Sequence, residues 1–328
     1  GIFCGVSAGT TTITYTVGTG CFAVKVVTVN DLPAPITGAS SVCVGQCTPL
    51  ATLSTTGTWS SSNTAIGTIN STTGVFCGVF AGTVNVTYTL PTGCYRTTTM
   101  LVNPLPTGVI GSLQVCEGSC NTLSGNPAGG TWSVVGSSAT IGASTGVYCG
   151  IAAGTVSIIY TLASGCSLTV TGTVNTAPTP IAGSPTICVG QTTTLSSTPS
   201  GGTWLSGNTA VATVGASGIV TGQSGTFTST ITYTSPSGCR VSTVVSVMGL
   251  PSVITGPLSV CETGTTTIKC TPAGGTWSMA CPGTATVSST GVVTGIAAGT
   301  CTVTYTMASG CIRTAVVTVN TAPTAISG

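Results

Sequence analysis

The residues of this chain that could do chemistry are almost all cysteines. The 328 residues include 17 cysteines, no histidine, three acids and five bases. The charged residues are Asp31, Glu117, Glu262, Lys25, Lys269, Arg96, Arg240 and Arg313. General acid–base and triad catalysis need histidine or paired carboxylates. We therefore predict that the chain is not an enzyme and has no catalytic or cofactor-binding residues.

The cysteines themselves favour disulfides over a metal site. Cys43 and Cys47 have a spacing that zinc could use, but no partner pair recurs in every repeat. Calcium needs clustered carboxylates, which three acids cannot supply. We therefore predict no metal. Many regularly spaced cysteines are typical of disulfides and of an oxidising compartment, so the predicted location is extracellular or at the cell surface.

The low charge limits the partners. Only 2% of the residues are charged, against about 25% in an average protein, and the net charge of +2 offers no basic stripe for nucleic acid. Thr, Ser or Gly interrupts every apolar run, so direct membrane insertion is not expected. Weak charge repulsion favours self-association or assembly of copies of the same chain.

Aromatic and cysteine residues recur every 72 or 73 residues, which indicates tandem repeats. The tryptophans are Trp59, Trp132, Trp204 and Trp277, and the matching tyrosines are Tyr15, Tyr88, Tyr160, Tyr233 and Tyr305. The predicted organisation is the end of a repeat at 1–34, complete repeats at 35–107, 108–179, 180–252 and 253–324, and the start of another at 325–328. Short Pro-bearing segments separate the repeats and predict semi-rigid joints in an elongated array. We expect the chain to be an excerpt of a longer repetitive polypeptide.

Each repeat has the pattern of a β-sandwich. Val84, Val86 and Tyr88 alternate with polar residues, as in a strand with one buried face. Short runs of this kind are bounded by Gly, Pro or Asn. The predicted fold class is all-β, with one Trp and one Tyr per repeat in the core, at the positions given above.

One disulfide is predicted within each repeat, from a cysteine near its start to one at its last hairpin. The predicted bonds are Cys43–Cys94, Cys116–Cys166, Cys188–Cys239 and Cys261–Cys311. Each closes a loop of about 50 residues and would contribute roughly 4 kcal/mol.

A second set of cysteines occurs in pairs. Cys47 and Cys77 are both present in one repeat, and Cys120 and Cys149 in the next, whereas the two later repeats have threonine at both positions. This predicts Cys47–Cys77 and Cys120–Cys149. In the repeat 253–324 we predict Cys270–Cys281 across a Gly-Gly turn. Cys4, Cys21 and Cys301 are predicted to be unpaired within this chain.

The motifs VCVGQ, TWSSSNTAIGTI, AGTVNVTYT and VNPLP of residues 42–106 resemble the group-2 bacterial immunoglobulin-like (Ig-like) repeats, particularly the Cys-bearing versions in large surface and secreted proteins of Bacteroidota-type bacteria. The resemblance implies tandem Ig-like sandwiches in stalks, adhesins or extracellular fibres. Tyr88 lies six residues before Cys94 rather than two, so the antibody-type tyrosine corner is not reproduced.

Two functions are therefore expected from the sequence. The first is a structural extracellular protein, either a surface stalk or a filament-forming subunit. The alternative is an adhesin whose repeats bind glycan or a partner protein. Phe76, Phe80, Tyr95 and Tyr148 are the candidate exposed aromatics for that alternative, although they do not recur in every repeat.

Overall fold

A computed structural model describes residues 1–323, so the predicted repeat start at 325–328 lies outside the described residues. Residues 1–323 contain only strands and loops; none of them forms an α-helix that could cross a membrane. The chain forms two compact units, Gly1–Val174 and the residues from Asn175 onward. The all-β prediction is confirmed.

The first unit contains strands β1 to β19. Their bounds are β1 Gly9–Thr16, β2 Phe22–Val29, β3 Thr37–Gly38, β4 Ser41–Cys43, β5 Cys47–Ala51, β6 Thr58–Ser61, β7 Gly67–Ile69, β8 Val75–Gly78, β9 Gly82–Thr89, β10 Tyr95–Asn103, β11 Gly108–Ile110, β12 Gln114–Cys116, β13 Cys120–Thr122, β14 Ser124–Asn126, β15 Thr131–Val135, β16 Ala139–Ile141, β17 Val147–Gly150, β18 Gly154–Thr161 and β19 Ser167–Asn175.

The second unit contains strands β20 to β33. Their bounds are β20 Thr186–Cys188, β21 Thr192–Thr194, β22 Thr203–Ser206, β23 Ala212–Val214, β24 Ile219–Gly222, β25 Phe227–Thr234, β26 Arg240–Met248, β27 Ser259–Cys261, β28 Thr265–Thr267, β29 Thr276–Met279, β30 Ala285–Val287, β31 Val292–Gly295, β32 Gly299–Thr306 and β33 Ile312–Asn320.

The strands pair into Ig-like sandwiches of two sheets. Between residues 35 and 107 one sheet has the order β4-β10-β9-β6 and the other β3-β5-β8-β7. The first sheet returns as β12-β19-β18-β15, β20-β26-β25-β22 and β27-β33-β32-β29, and the other sheet returns with three strands, as β13-β17-β16, β21-β24-β23 and β28-β31-β30. Most neighbours are antiparallel, and β7-β8 and β9-β10 are hairpins. The short first strand, in contrast, pairs in parallel with the last strand of the same sheet, as β4 does with β10.

The core of each sandwich comes from alternating side chains. In β9 the apolar residues Val84, Val86 and Tyr88 are buried, whereas Asn85 is exposed and Thr87 is half-buried between them, as the period of two predicts. Each Tyr packs on the Trp of its own repeat, with ring centroids 4.6 to 4.8 Å apart. The Trp–Tyr pair is therefore a recurring part of the core.

Two details differ from the predicted core. Trp59 and Trp132 are buried, but Trp204 and Trp277 are only partly buried at the edge of their cores. Tyr15 is 72% exposed, so its assignment to a core is wrong. It lies in the two-stranded sheet β1-β2, against which no second sheet packs among the described residues.

Candidate functional site

The parallel pairing of first and last strands fixes the position of the first cysteine in a repeat. Cys43 ends β4 and lies opposite Asn103, the last residue of β10. Cys188 ends β20 opposite Met248 in the same way. Since the chain leaves the repeat after Asn103 or Met248, each of these cysteines lies where the polypeptide passes into the next repeat.

The predicted Cys43–Cys94 bond is wrong because the two residues lie at opposite ends of one strand. Cys94 immediately precedes β10, and Cys43 lies beside the residue that ends it. Nine residues of strand span about 30 Å, whereas a disulfide joins Cα atoms only about 4–7 Å apart. The same geometry rules out a bond within the repeat between Cys261, opposite Asn320, and Cys311, which precedes β33.

The structure instead joins cysteines of adjacent repeats. Cys43 is bonded to Cys166, and Cys188 to Cys311; the two bonds have Cα–Cα distances of 5.6 and 5.7 Å and the same sequence separation of 123 residues. The predicted bonds Cys116–Cys166, Cys188–Cys239 and Cys261–Cys311 are therefore wrong as well. Cys116 and Cys239 are both disulfide-bonded, whereas Cys94 and Cys261, together with Cys4 and Cys21, have free thiols in the described chain.

A tight hairpin presents the second cysteine of each bond. The turn between β18 and β19 is closed by the Leu162 amide donating to the Cys166 carbonyl at 2.9 Å. Gly165 in this turn has a φ of +85°, a conformation that glycine adopts without steric cost. The Cys166 sulfur lies 4.0 Å from the carbonyl oxygen of Asn103. The hairpin tip of one repeat thus meets the end of the preceding one.

Three of the few charged side chains contact backbone near the ends of repeats. Arg96 donates from Nε to the carbonyl of Pro33 at 2.9 Å, and Arg313 donates to that of Pro251 at 3.2 Å. Glu262 accepts the amides of Ala298 and Ala322. At the joint closed by Cys188–Cys311, the Arg313 contact and the disulfide together restrict bending.

The second set of cysteines forms bonds within a repeat, as predicted. Cys47 lies opposite Cys77 in the pairing of β5 with β8, and Cys120 lies opposite Cys149 in the pairing of β13 with β17. Both pairs are disulfide-bonded, with Cα atoms 4.1 Å apart. Each bond ties together neighbouring strands of one sheet.

The predicted Cys270–Cys281 bond is wrong, and Cys301 is not unpaired. Cys281 is bonded to Cys301. The register of β29 with β32 pairs Met279 with Val303, so two residues further along Cys281 comes opposite Cys301. Cys270 is buried with a free thiol, and its sulfur lies 3.3 Å from the carbonyl of Ser252.

The core tyrosine also fixes a turn through its hydroxyl. In the second complete repeat the Gly130 amide donates to Tyr160 Oη at 2.8 Å, and the hydroxyl donates to the carbonyl of Pro127 at 2.8 Å. Tyr88, Tyr233 and Tyr305 make the equivalent pairs of bonds. We call this pair of hydrogen bonds the latch. The sequence signal for it is the Gly-Thr-Trp motif in every repeat. The glycine of this motif leaves no room for a Cβ beside the Tyr ring.

Tyr160→Phe is expected to weaken this turn. The substitution keeps the ring but leaves the Gly130 amide and the Pro127 carbonyl without their partner, which costs about 1–2 kcal/mol. Hydrogen exchange of the β15 and β18 amides in the oxidised protein measures this as faster local opening. Tyr95→Phe is the matched control, because Tyr95 is 61% exposed and makes no such contact. Equal exchange in the two variants would contradict the latch.

Tyr148 is a buried tyrosine whose hydroxyl has no hydrogen-bond partner. Burial raises the pKa of its phenol above the ordinary value. The residue at the same position of the preceding repeat is Phe76, also fully buried. Gly172 makes room for the hydroxyl: a Cβ there would lie 2.7 Å from it, and the preceding repeat has Met100 at that position. Relative to the preceding repeat, the added hydroxyl of Tyr148 therefore occupies part of the volume that is freed by glycine in place of methionine at position 172.

Tyr148→Phe is expected to stabilise its repeat by about 1 kcal/mol, because it removes a desolvated hydroxyl that makes no hydrogen bond. Hydrogen exchange at β17 and β19 would slow accordingly. Tyr95→Phe again serves as the control on a solvated ring. A loss of stability in Tyr148→Phe would mean that the hydroxyl has a partner, such as a buried water.

The candidate aromatics for ligand binding separate into two classes. Phe76 and Tyr148 are fully buried, so they cannot form an exposed platform, whereas Phe80 and Tyr95 are 70% and 61% exposed. Among residues 1–323 no three His, Cys, Asp or Glu side chains come together as a metal site. The recurring constellation in the described chain is therefore the disulfide joint.

No protein-family model and no curated protein matches the chain. Among solved structures, domains 1–6 of surface layer protein SbsC are 15% identical, with a TM-score of 0.23 over 89% of this chain and 55% of that one. The bacterial integrin-binding protein invasin is 13% identical, with a TM-score of 0.31 over 87% and 79%. The insect immune protein hemolin is 12% identical, with a TM-score of 0.25 over 89% and 100%. The chain spans about half the length of the SbsC fragment. Structural similarity at these TM-scores does not indicate a function.

Proposed function

We propose that the chain is a structural extracellular protein, a stalk or filament-forming subunit of a cell surface. The observation that carries this proposal is the covalent joint between repeats, seen in Cys43–Cys166 and again in Cys188–Cys311. Each bond crosses from one repeat to the next rather than closing a single repeat. It restricts their separation and bending, which is useful in a protein whose task is to span a distance.

The chemistry of the bonds supports the location. Twelve cysteines of the described chain are disulfide-bonded, and such bonds persist in oxidising, extracytoplasmic compartments. The resemblance of the repeat motifs to those of Bacteroidota-type surface proteins agrees with this location. The low charge, with three acids and five bases in 328 residues, reduces repulsion between copies. Self-association of the chain is therefore part of the proposal.

Electron microscopy of the oxidised protein at rising concentration tests this function. A structural subunit is expected to form elongated particles that associate laterally or end to end, and the same fibres should occur on the producing cells. Reduction and alkylation provide the matched control and should give irregularly bent particles. Compact oxidised particles that stay monomeric at every concentration would contradict the proposal.

A second candidate function, glycan binding by the repeats, is supported by a groove that occurs twice. In the last complete repeat the groove has a volume of about 360 Å³ and is lined by Trp277, Tyr305 and Thr290. In the preceding repeat the equivalent groove of about 250 Å³ is lined by Trp204 and Tyr233. A partly buried indole beside hydroxyl groups gives a sugar ring both an apolar surface and hydrogen-bonding groups.

A glycan array probed with the oxidised chain tests this candidate. Binding that is lost in Thr290→Val, which removes a hydroxyl at the groove, and kept in Thr11→Val on β1 would support an adhesin. Absence of binding at high protein concentration would remove glycan recognition from the described repeats and leave the structural function.

A further inference from the structure

From the disulfide pattern we infer that the array contains a continuous covalent load path, which carries tension past the folded bulk of the repeats. This inference rests on the proposed structural function and adds to it how the protein resists being pulled. The observation behind it is the order of the bonds along the chain: Cys43–Cys166 is followed by Cys188–Cys311. The peptide between Cys166 and Cys188 connects the two bonds.

Most residues of each sandwich lie in loops that this covalent path bypasses, so they do not bear the applied tension. A pull on the two ends is transmitted through residues 1–43, the first disulfide, residues 166–188, the second disulfide and residues 311–328. Residues 44–165 and 189–310 are side loops of this path, because each loop is closed by a bond spanning 123 residues. The loops contain most of the strands that form the cores, so tension cannot straighten them while the bonds are intact.

The segment between the two bonds contains two strands and a proline-bearing stretch. It contains β19, Ser167–Asn175, and β20, Thr186–Cys188, which are already extended because strands rise about 3.3 Å per residue. Pro178, Pro180 and Pro185 lie between these strands and restrict the backbone further.

The disulfides within a repeat and those between repeats have different mechanical roles. The bonds Cys47–Cys77 and Cys120–Cys149 lie inside the side loop 44–165, where they stabilise a sheet and carry no end-to-end tension. The later repeats have threonine at these positions. The bonds between repeats occur at the same positions before and after this change, in Cys43–Cys166 and Cys188–Cys311.

Single-molecule pulling of the whole oxidised chain, held by terminal tags that couple without thiols, tests the inference. The path contains about 80 residues and two disulfides, so the final contour length is expected to be about 300 Å, at about 3.4 Å per residue. The fully reduced chain should reach about 1,100 Å on the same scale. Any bond of Cys116 or Cys239 can shorten the oxidised path but cannot lengthen it.

Two variants make the test specific. Replacement of Cys43, Cys166, Cys188, Cys311, Cys116 and Cys239 by serine should lengthen the oxidised contour to about 850 Å, because three short intra-repeat loops remain closed. Cys47→Ser with Cys77→Ser should leave it at about 300 Å, since that bond lies off the path. A contour length does not require the variant to fold.

An oxidised wild-type chain that extends well beyond 300 Å, or a longer contour in the Cys47→Ser, Cys77→Ser variant, would overturn the load path. These outcomes are separate from the test of the proposed function by microscopy. A chain that forms no filament but has a final contour length of about 300 Å would support the load path and contradict the filament-forming function.

Discussion

Replacing Cys43 and Cys166 together by serine is expected to lower the free energy of unfolding of two repeats, 35–107 and 108–179, by about 4–5 kcal/mol. The bond between them closes a loop of 123 residues, within which two shorter bonds are already closed. The chain-entropy model gives about 4–5 kcal/mol for loops of this effective length. Hydrogen exchange of the most protected amides in β9 and β18 measures the loss in each repeat separately.

Two control variants distinguish this bond from others. Cys47→Ser with Cys77→Ser opens a loop of 30 residues, worth about 3.6 kcal/mol, and the loss should be confined to the repeat 35–107. Cys94→Ser should change little, because Cys94 has a free thiol. A large loss of stability in Cys94→Ser, together with little change in exchange at β18 in Cys43→Ser, would indicate a bond within the repeat. That result would contradict the disulfide between repeats.

Trp132→Ala is expected to destabilise its repeat by about 3–5 kcal/mol, the usual cost of removing a large aromatic side chain from a core. Trp132 is 6% exposed, and its ring centroid lies 4.6 Å from that of Tyr160. The cavity would also remove the surface on which the latch tyrosine packs. Thermal unfolding of the oxidised chain, together with exchange at β15 and β18, measures the effect.

Val135→Ala is the control on the same strand, because Val135 is 62% exposed; a surface substitution of this kind changes stability by less than about 0.5 kcal/mol. Similar small effects in Trp132→Ala and Val135→Ala would show that the indole contributes little to the core. That result would favour a binding role for the tryptophans.

The period of the sequence explains both the success and the failure of the disulfide predictions. Cys94 and Cys166 are successive members of one repeating position, so spacing cannot decide which of them bonds to Cys43. The parallel pairing of β4 with β10 decides it, and parallel pairing leaves no short-range signal in the sequence. Cys47 and Cys77, in contrast, are present or absent together within a repeat, and that pattern identified their bond correctly.

The core could be predicted more fully than the contacts that complete it. Alternation in β9 identified Val84, Val86 and Tyr88, because burial of one sheet face imposes a period of two. Tyr15 has the same place in the sequence pattern but is exposed, because no facing sheet is present among residues 1–323. The Tyr–Gly latch was also missed, because it joins residues about 30 positions apart through a hydroxyl and a backbone amide.

Disulfide mapping of the native protein tests the central claim most directly. The free thiols are alkylated first, the chain is digested at acidic pH, where thiol–disulfide exchange is slow because few thiolates are present, and the linked peptides are identified by mass spectrometry without reduction. The account predicts peptides joined through Cys43–Cys166 and Cys188–Cys311. Peptides joined through Cys43–Cys94 and Cys261–Cys311 would contradict it and would leave the repeats without a covalent joint.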